Sequence, residues 1–139
     1  MIVYADTSAL VKLYIEEDGS ETTHRCMEDA EFAVTSRVAY VEARSAFARR
    51  KQAGDLTQRA HRQIVRQLND DWKRWLRLDF QSVPAGELAA KHLLRGFDAV
   101  HLSSALGFSA SKEPLSLLFL AFDARLNTAA EVEGLTLAQ

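Results

Sequence analysis

Cysteine is nearly absent from this chain. Cys26 stands alone, reads as an inert thiol, and cannot form an internal disulfide. Also missing are any apolar stretch approaching the ~20 residues of a membrane helix, any internal repeat and any low-complexity tract. A strand-like run begins at Met1 and leaves no room for a signal peptide, so the expected setting is the cytoplasm. No histidine has the partner spacing of a zinc site or a Ser-His-Asp triad. His92 and His101 fall beside apolar helical positions and read as packing residues, while His24 and His61 read as solvated. What remains is 139 residues, 47% of them hydrophobic, enough for one compact domain over 1–139.

The net charge of −2 is unevenly spread. Residues 1–43 carry nine acids against three bases, residues 44–77 ten bases against three acids, and residues 78–139 seven acids against four bases. A basic middle third is either a solvated helix face or the electrostatic footprint of a protein that meets phosphate backbones.

Strand signals occur at "MIVYA", "FAVTS" (Phe32 to Ser36), "LDFQSV" (Leu78 to Val83), "SLLFLAF" and "LTLA". Helix-period segments separate them: one after Thr7 and Ser8, one through "SETTHRCMED", one from near Ser36 to Gly54, and one from Thr57, a plausible N-cap, to about Trp75. Three more follow in "AGELAAKHLLRG", "FDAVHLSSALGF" and "ARLNTAAEVEG", with a breaker loop at "SASKEPLS" around Pro114. Continuous apolar strands alternating with helices predict a three-layer α/β/α fold around a central parallel five-stranded sheet. In such sheets ligands bind outside the carboxyl ends of the strands, where strand order reverses.

Two of the strands end on bare acids, Asp6 and Asp123. Glu42 sits two turns into the third helix among Val38, Tyr40, Val41 and Phe47, and Asp98 opens a helix after Gly96. Each has an ordinary reading. Asp6, Asp98 and Asp123 suit helix N-caps, Thr7 and Ser8 do too, and Glu42 could sit at the border of an apolar stripe. If they converge, two carboxylates ~4 Å apart at an effective dielectric near 20 repel by ~4 kcal/mol, and no neighbouring Lys or Arg is evident in sequence to neutralise each. A divalent cation is the simplest remedy, and an all-oxygen donor set points to Mg²⁺ or Mn²⁺.

Four segments together resemble the PIN-domain family of metal-dependent ribonucleases, specifically its VapC-type toxins: "YADTSALVKLYIEEDGSE", "VAYVEARSAF", "LRGFDAVHLSSAL" and "FLAFDARLNTAAEVEGL". The resemblance spans the whole chain in order. It implies that Asp6, Glu42, Asp98 and Asp123 form an acidic quartet holding Mg²⁺ or Mn²⁺, with a hydroxyl from Thr7 or Ser8 at its rim. It further implies hydrolysis of RNA such as tRNA or rRNA to 5′-phosphate and 3′-hydroxyl ends, a homodimer, and inhibition by a cognate VapB-like antitoxin. Some relatives carry a further acid near the position of Asn127. Arg44, Arg62 and Arg66, in the basic block, are candidate RNA contacts. Two alternatives differ in class. One is a catalytically silent PIN-like module that binds RNA or protein; the other is a phosphatase using Asp6 as nucleophile, whose motif wants a second aspartate where this chain has Ser8.

Overall fold

The computed structural model of the protein describes residues 1–111 and 116–139; the breaker expected at Pro114 lies outside them. The N-terminal apolar run forms β1 (Ile2–Ala5), with all four residues buried. Around it stand β2 (Phe32–Ser36), β3 (Leu76–Leu78), β4 (Leu117–Leu120) and β5 (Thr136–Leu137), in one sheet of order β3-β2-β1-β4-β5 with every pairing parallel. Seven helices cover it among the described residues: α1 (Thr7–Lys12), α2 (Ser20–Asp29), α3 (Val38–Gln52), α4 (Gln58–Trp72), α5 (Ser82–His92), α6 (Gly96–Ser111) and α7 (Ala124–Val132). None of them is long and apolar enough to cross a membrane.

The two-residue alternation of β1 divides the core into two layers. Ile2 and Tyr4 pack with Leu102 of α6, Phe119 of β4 and Leu126 of α7. Val3 and Ala5 pack with Leu10 of α1, Phe47 of α3 and Leu68 of α4. A strand covered on both faces has no solvent side, which is why its sequence is uniformly apolar. Fully burying a Leu or Phe side chain contributes about 1.5–3 kcal/mol, so these facing layers fix the position of the sheet's carboxyl edge.

The third strand differs from its expected place. Leu76–Leu78 pairs with Val34–Ser36, and the chain leaves the sheet after Leu78, so that Phe80 is 42% exposed and Ser82 already opens α5. The decisive residue is Pro84. In the first turn of a helix its missing N–H has no intrahelical partner to lose, whereas a strand running through Val83 would lead straight into it. Two further ends come earlier than expected, β4 at Leu120 and not beside Asp123, and α4 at Trp72; α2 spans the segment read for it, and Thr57 caps α4 by accepting the Ala60 amide at 3.0 Å.

Candidate active site

The strand order reverses between β1 and β4, and Asp6 and Asp123 follow the two strands that flank that point. Asp6 follows β1 directly, its amide donating to Leu120 O at 3.1 Å across the reversal. It caps α1, with Oδ1 accepting the Ala9 amide at 3.0 Å and the Ser8 hydroxyl at 2.6 Å. Ser8 Oγ in turn accepts the Phe122 amide at 3.1 Å, which fastens the segment after β4 to the start of α1. Asp123, three residues beyond the end of β4, caps α7 through the Leu126 amide at 2.9 Å.

Phe122 also explains part of the motif "LVKLYIEEDGSE". Gly19 lies beneath its ring at φ +92°, where a Cβ would come within 2.5 Å, and Lys12 Nζ sits 4.7 Å above the ring centre while pairing with Glu17 at 2.9 Å. The glycine is required both by its left-handed backbone and by contact. This packing sets the segment that delivers Asp123.

Glu42 reaches the same edge from α3. Its Oε1 accepts the Thr7 hydroxyl at 2.5 Å and lies 2.9 Å from His101 Nε2, which is also 3.0 Å from Thr7 Oγ1. A carboxylate only accepts, so the His101 proton on this side is on Nε2. Nδ1 lies 2.9 Å from the Tyr4 hydroxyl, and the ring that joins Tyr4 to Glu42 is 1% exposed. Burial holds the Tyr4 phenol well above its ordinary range, which keeps it a donor. Burial also pushes Glu42 upward, but hydrogen bonds from His101 and Thr7 outweigh it, and the carboxyl lies below its ordinary value. Asp6 goes the other way. Burial raises it beyond what His101, Ser8 and Ala9 offset, and the charge of Asp98 adds to the rise.

Asp98 lies in the first turn of α6, as expected, and the basic partner thought absent is Arg95, three residues earlier. Its Nε is 3.1 Å from Asp98 Oδ2 and its Nη2 3.7 Å from Asp123 Oδ2. His101 is likewise more than a packing residue, and so is His92, whose Nε2 is 2.7 Å from Glu133 Oε1. His24 is exposed as expected, but His61 is half-buried, with a buried Nε2 that meets no partner among the described residues. The sequence signal for Arg95 and His101 was spacing: each is three residues from Asp98, the distance at which helical side chains become neighbours.

Among the described residues no three Asp, Glu, His or Cys side chains stand close enough together to hold a metal ion as they are. The donor set nevertheless suits a hard cation. Asp6 and Glu42 each meet protein donors through one oxygen, so Asp6 Oδ2 and Glu42 Oε2, like Asp98 Oδ1, meet no hydrogen-bond donor among the described residues. One turn beyond Asp123, Asn127 donates to Ala121 O at 3.0 Å while its buried Oδ1 has no partner, the state of an acceptor that a cation's water would satisfy.

The basic candidates separate from one another. Arg44 lies against the Tyr40 ring and donates to its hydroxyl at 2.9 Å. Arg62 and Arg66 line a depression with Gln58, Arg59 and Gln63 that contains no acid. The groove that holds Thr7, Ser8 and Glu42 is instead walled by Lys12, Arg49, Arg50 and Phe97.

The PIN-domain family model matches residues 3–132. The chain belongs to the PIN-domain family. Two relatives from Mycobacterium tuberculosis, Ribonuclease VapC45 of strain CDC 1551 / Oshkosh and Ribonuclease VapC49 of strain ATCC 25618 / H37Rv, are each 37% identical to it over 140 residues. The matches cover 99% of this chain and 94% of each relative.

Proposed function

We propose that the protein is a VapC-like endoribonuclease of the cytoplasm that depends on Mg²⁺ or Mn²⁺, with Asp6, Glu42, Asp98 and Asp123 as its catalytic and metal-holding residues. What supports this reading is that Asp98 and Asp123 share Arg95, that Glu42 and Asp98 line one recess, and that scaffold donors engage one oxygen of Asp6 and of Glu42 and leave the other without a donor among the described residues. A bound divalent cation would supply a water of lowered pKa and neutralise charge developing on the scissile phosphodiester. The chain's own residues do the rest. Asp6, Asp98 and Asp123 would hold the cation. Glu42, kept ionised by Thr7 and His101, orients the attacking water and accepts its proton. Ser8 and the α1 amide fix Asp6 so that it needs no reorganisation. The products are 5′-phosphate and 3′-hydroxyl ends.

RNA lies along the groove walled by Arg49, Arg50 and Phe97, with Arg44, Arg62 and Arg66 as outlying contacts. The active form is a homodimer inhibited by a VapB-like antitoxin. In the test, Asp6→Asn and Asp98→Asn are assayed on RNA with Mn²⁺, beside far-UV circular dichroism. Both variants are expected to stay folded and lose cleavage by at least about 10²–10³-fold, the scale of a lost electrostatic stabiliser. Full activity in either one removes the quartet.

A further inference from the structure

Arg95 stands where helix physics disfavours it. Its carbonyl accepts the Ala99 amide at 3.0 Å, which places it at the entrance to α6, the positive end of the helix dipole. No core packing explains the placement, since the side chain is 80% exposed. The acids do explain it: Asp98 at 3.1 Å and Asp123 at 3.7 Å face the guanidinium, and it lines one recess with Glu42 and Asp98. Arg95 is thus the counter-charge of Asp98 and Asp123, whose side chains are 17% and 39% exposed. A side chain held at the surface by one hydrogen bond and by charge can change partners without disturbing the core.

We propose that Arg95 is an exchangeable counter-cation: it neutralises Asp98 and Asp123 in the metal-free protein, yields both to a divalent cation, and then takes an RNA phosphate as its partner. The inference rests on the quartet reading. A freed guanidinium fork at the rim matches the oxygens of a phosphate, and the charge given up by the carboxylates is replaced by that of the incoming backbone. Metal binding and RNA binding are coupled through this one residue. Metal arrival releases the group that grips the substrate.

The test compares wild type, Arg95→Met and Arg95→Lys; with so exposed a side chain, all three are expected to fold alike. Mn²⁺ affinity is measured by titration calorimetry. Binding of a short labelled oligoribonucleotide is followed by stopped-flow anisotropy before cleavage, across a salt series, in Mn²⁺ and in EDTA. Arg95→Met is expected to bind Mn²⁺ roughly tenfold more tightly, because a like charge has been removed from the site. Its RNA affinity in Mn²⁺ is expected to fall, with the slope of log affinity against log salt reduced by about 0.7, one single-strand phosphate contact. In EDTA the slope is expected to equal that of wild type, since Arg95 is then occupied by Asp98 and Asp123. Arg95→Lys is expected to restore the weaker Mn²⁺ affinity. Unchanged Mn²⁺ affinity in Arg95→Met overturns the proposal, as does an equal loss of salt slope in Mn²⁺ and in EDTA, which would make Arg95 a fixed surface charge. Wild type that binds no Mn²⁺ at all overturns the quartet reading itself, and this proposal with it.

Discussion

Asp6 and Glu42 are held by hydroxyls, a backbone amide and a buried imidazole, whereas Asp98 and Asp123 are held on their outer side by one exposed guanidinium. Depth explains Asp6 alone, since the Glu42 and Asp98 side chains are 22% and 17% exposed. At 3% exposure Asp6 cannot be reached by a long cation without burying it too, so short neutral donors do the work. At the rim a long, weakly held cation suffices and can leave. The pair held by short donors and a buried ring is therefore preorganised and the pair held by one long side chain adjustable, the division that the proposed exchange of cation and RNA would use.

The largest effect that would break this comparison is loss of the preorganised scaffold. His101→Leu removes the donor that orients Glu42 while leaving all four carboxylates in place. Partners that orient catalytic ligands typically cost 10–100-fold when removed. We expect a fall of that size in kcat on RNA with KM nearly unchanged, because His101 is buried away from substrate. The Tyr4 hydroxyl also loses its partner, so stability falls as well, and kcat is compared at a temperature where circular dichroism shows both proteins folded. A rise in KM with kcat intact would place His101 outside the catalytic arrangement.

The comparison sharpens inside the preorganised pair, where two acids carry opposite electrostatic histories. Asp6 is raised from its ordinary value of 3.8 chiefly by burial, so the stability it contributes is fully present below that pH and is lost as pH rises through the elevated folded value. Glu42 is lowered from 4.5: burial is overcome by His101 and Thr7, so its contribution is present above that pH and is lost as pH falls through the depressed folded value. In EDTA, Asp6→Asn should therefore gain stability relative to wild type as pH rises, and Glu42→Gln should lose it. Urea midpoints at several pH values, from about 3 to 7, measure both. Two differences of the same sign would mean that the two carboxylates do not differ in environment.

Much of this was legible in the sequence, and what was missed has a physical cause. Continuous apolar runs gave the parallel sheet, because burial on both faces leaves a one-dimensional signature. The third strand was misplaced because it is an edge strand of three residues, too short for any alternation to show, and the apolar residues after it belong to a loop and helix start. The four acids could be picked out because strand ends and helix starts are local features. Arg95 and His101 could not be given roles, since a role depends on partners. The partners of His101 at Tyr4, Thr7 and Glu42 lie 97, 94 and 59 residues away and meet it only when α6 docks beside β1 and α3. Helix-face spacing marked His101 as inward-facing, which an apolar neighbourhood explains equally well.

The smallest expected effect concerns the basic face of α4. Ile64 and Leu68 on its inner side are buried, while Arg59, Arg62 and Arg66 line an outer depression separate from the groove that holds Glu42. Charges so placed can attract a polyanion but have no path to the reacting phosphate, so their contribution belongs to binding alone. Arg62→Glu combined with Arg66→Glu should weaken RNA affinity by a few-fold at low salt and flatten the salt slope by at most about 1.4, two single-strand contacts. The turnover rate at saturating RNA should not change. Anisotropy titrations over a salt series, paired with single-turnover cleavage, distinguish the outcomes. A fall in the cleavage rate at saturation would bring this face into the active groove, against the separation of the two depressions. An unchanged slope would make it a solvated surface, because a contact that releases no counterion is not a phosphate contact.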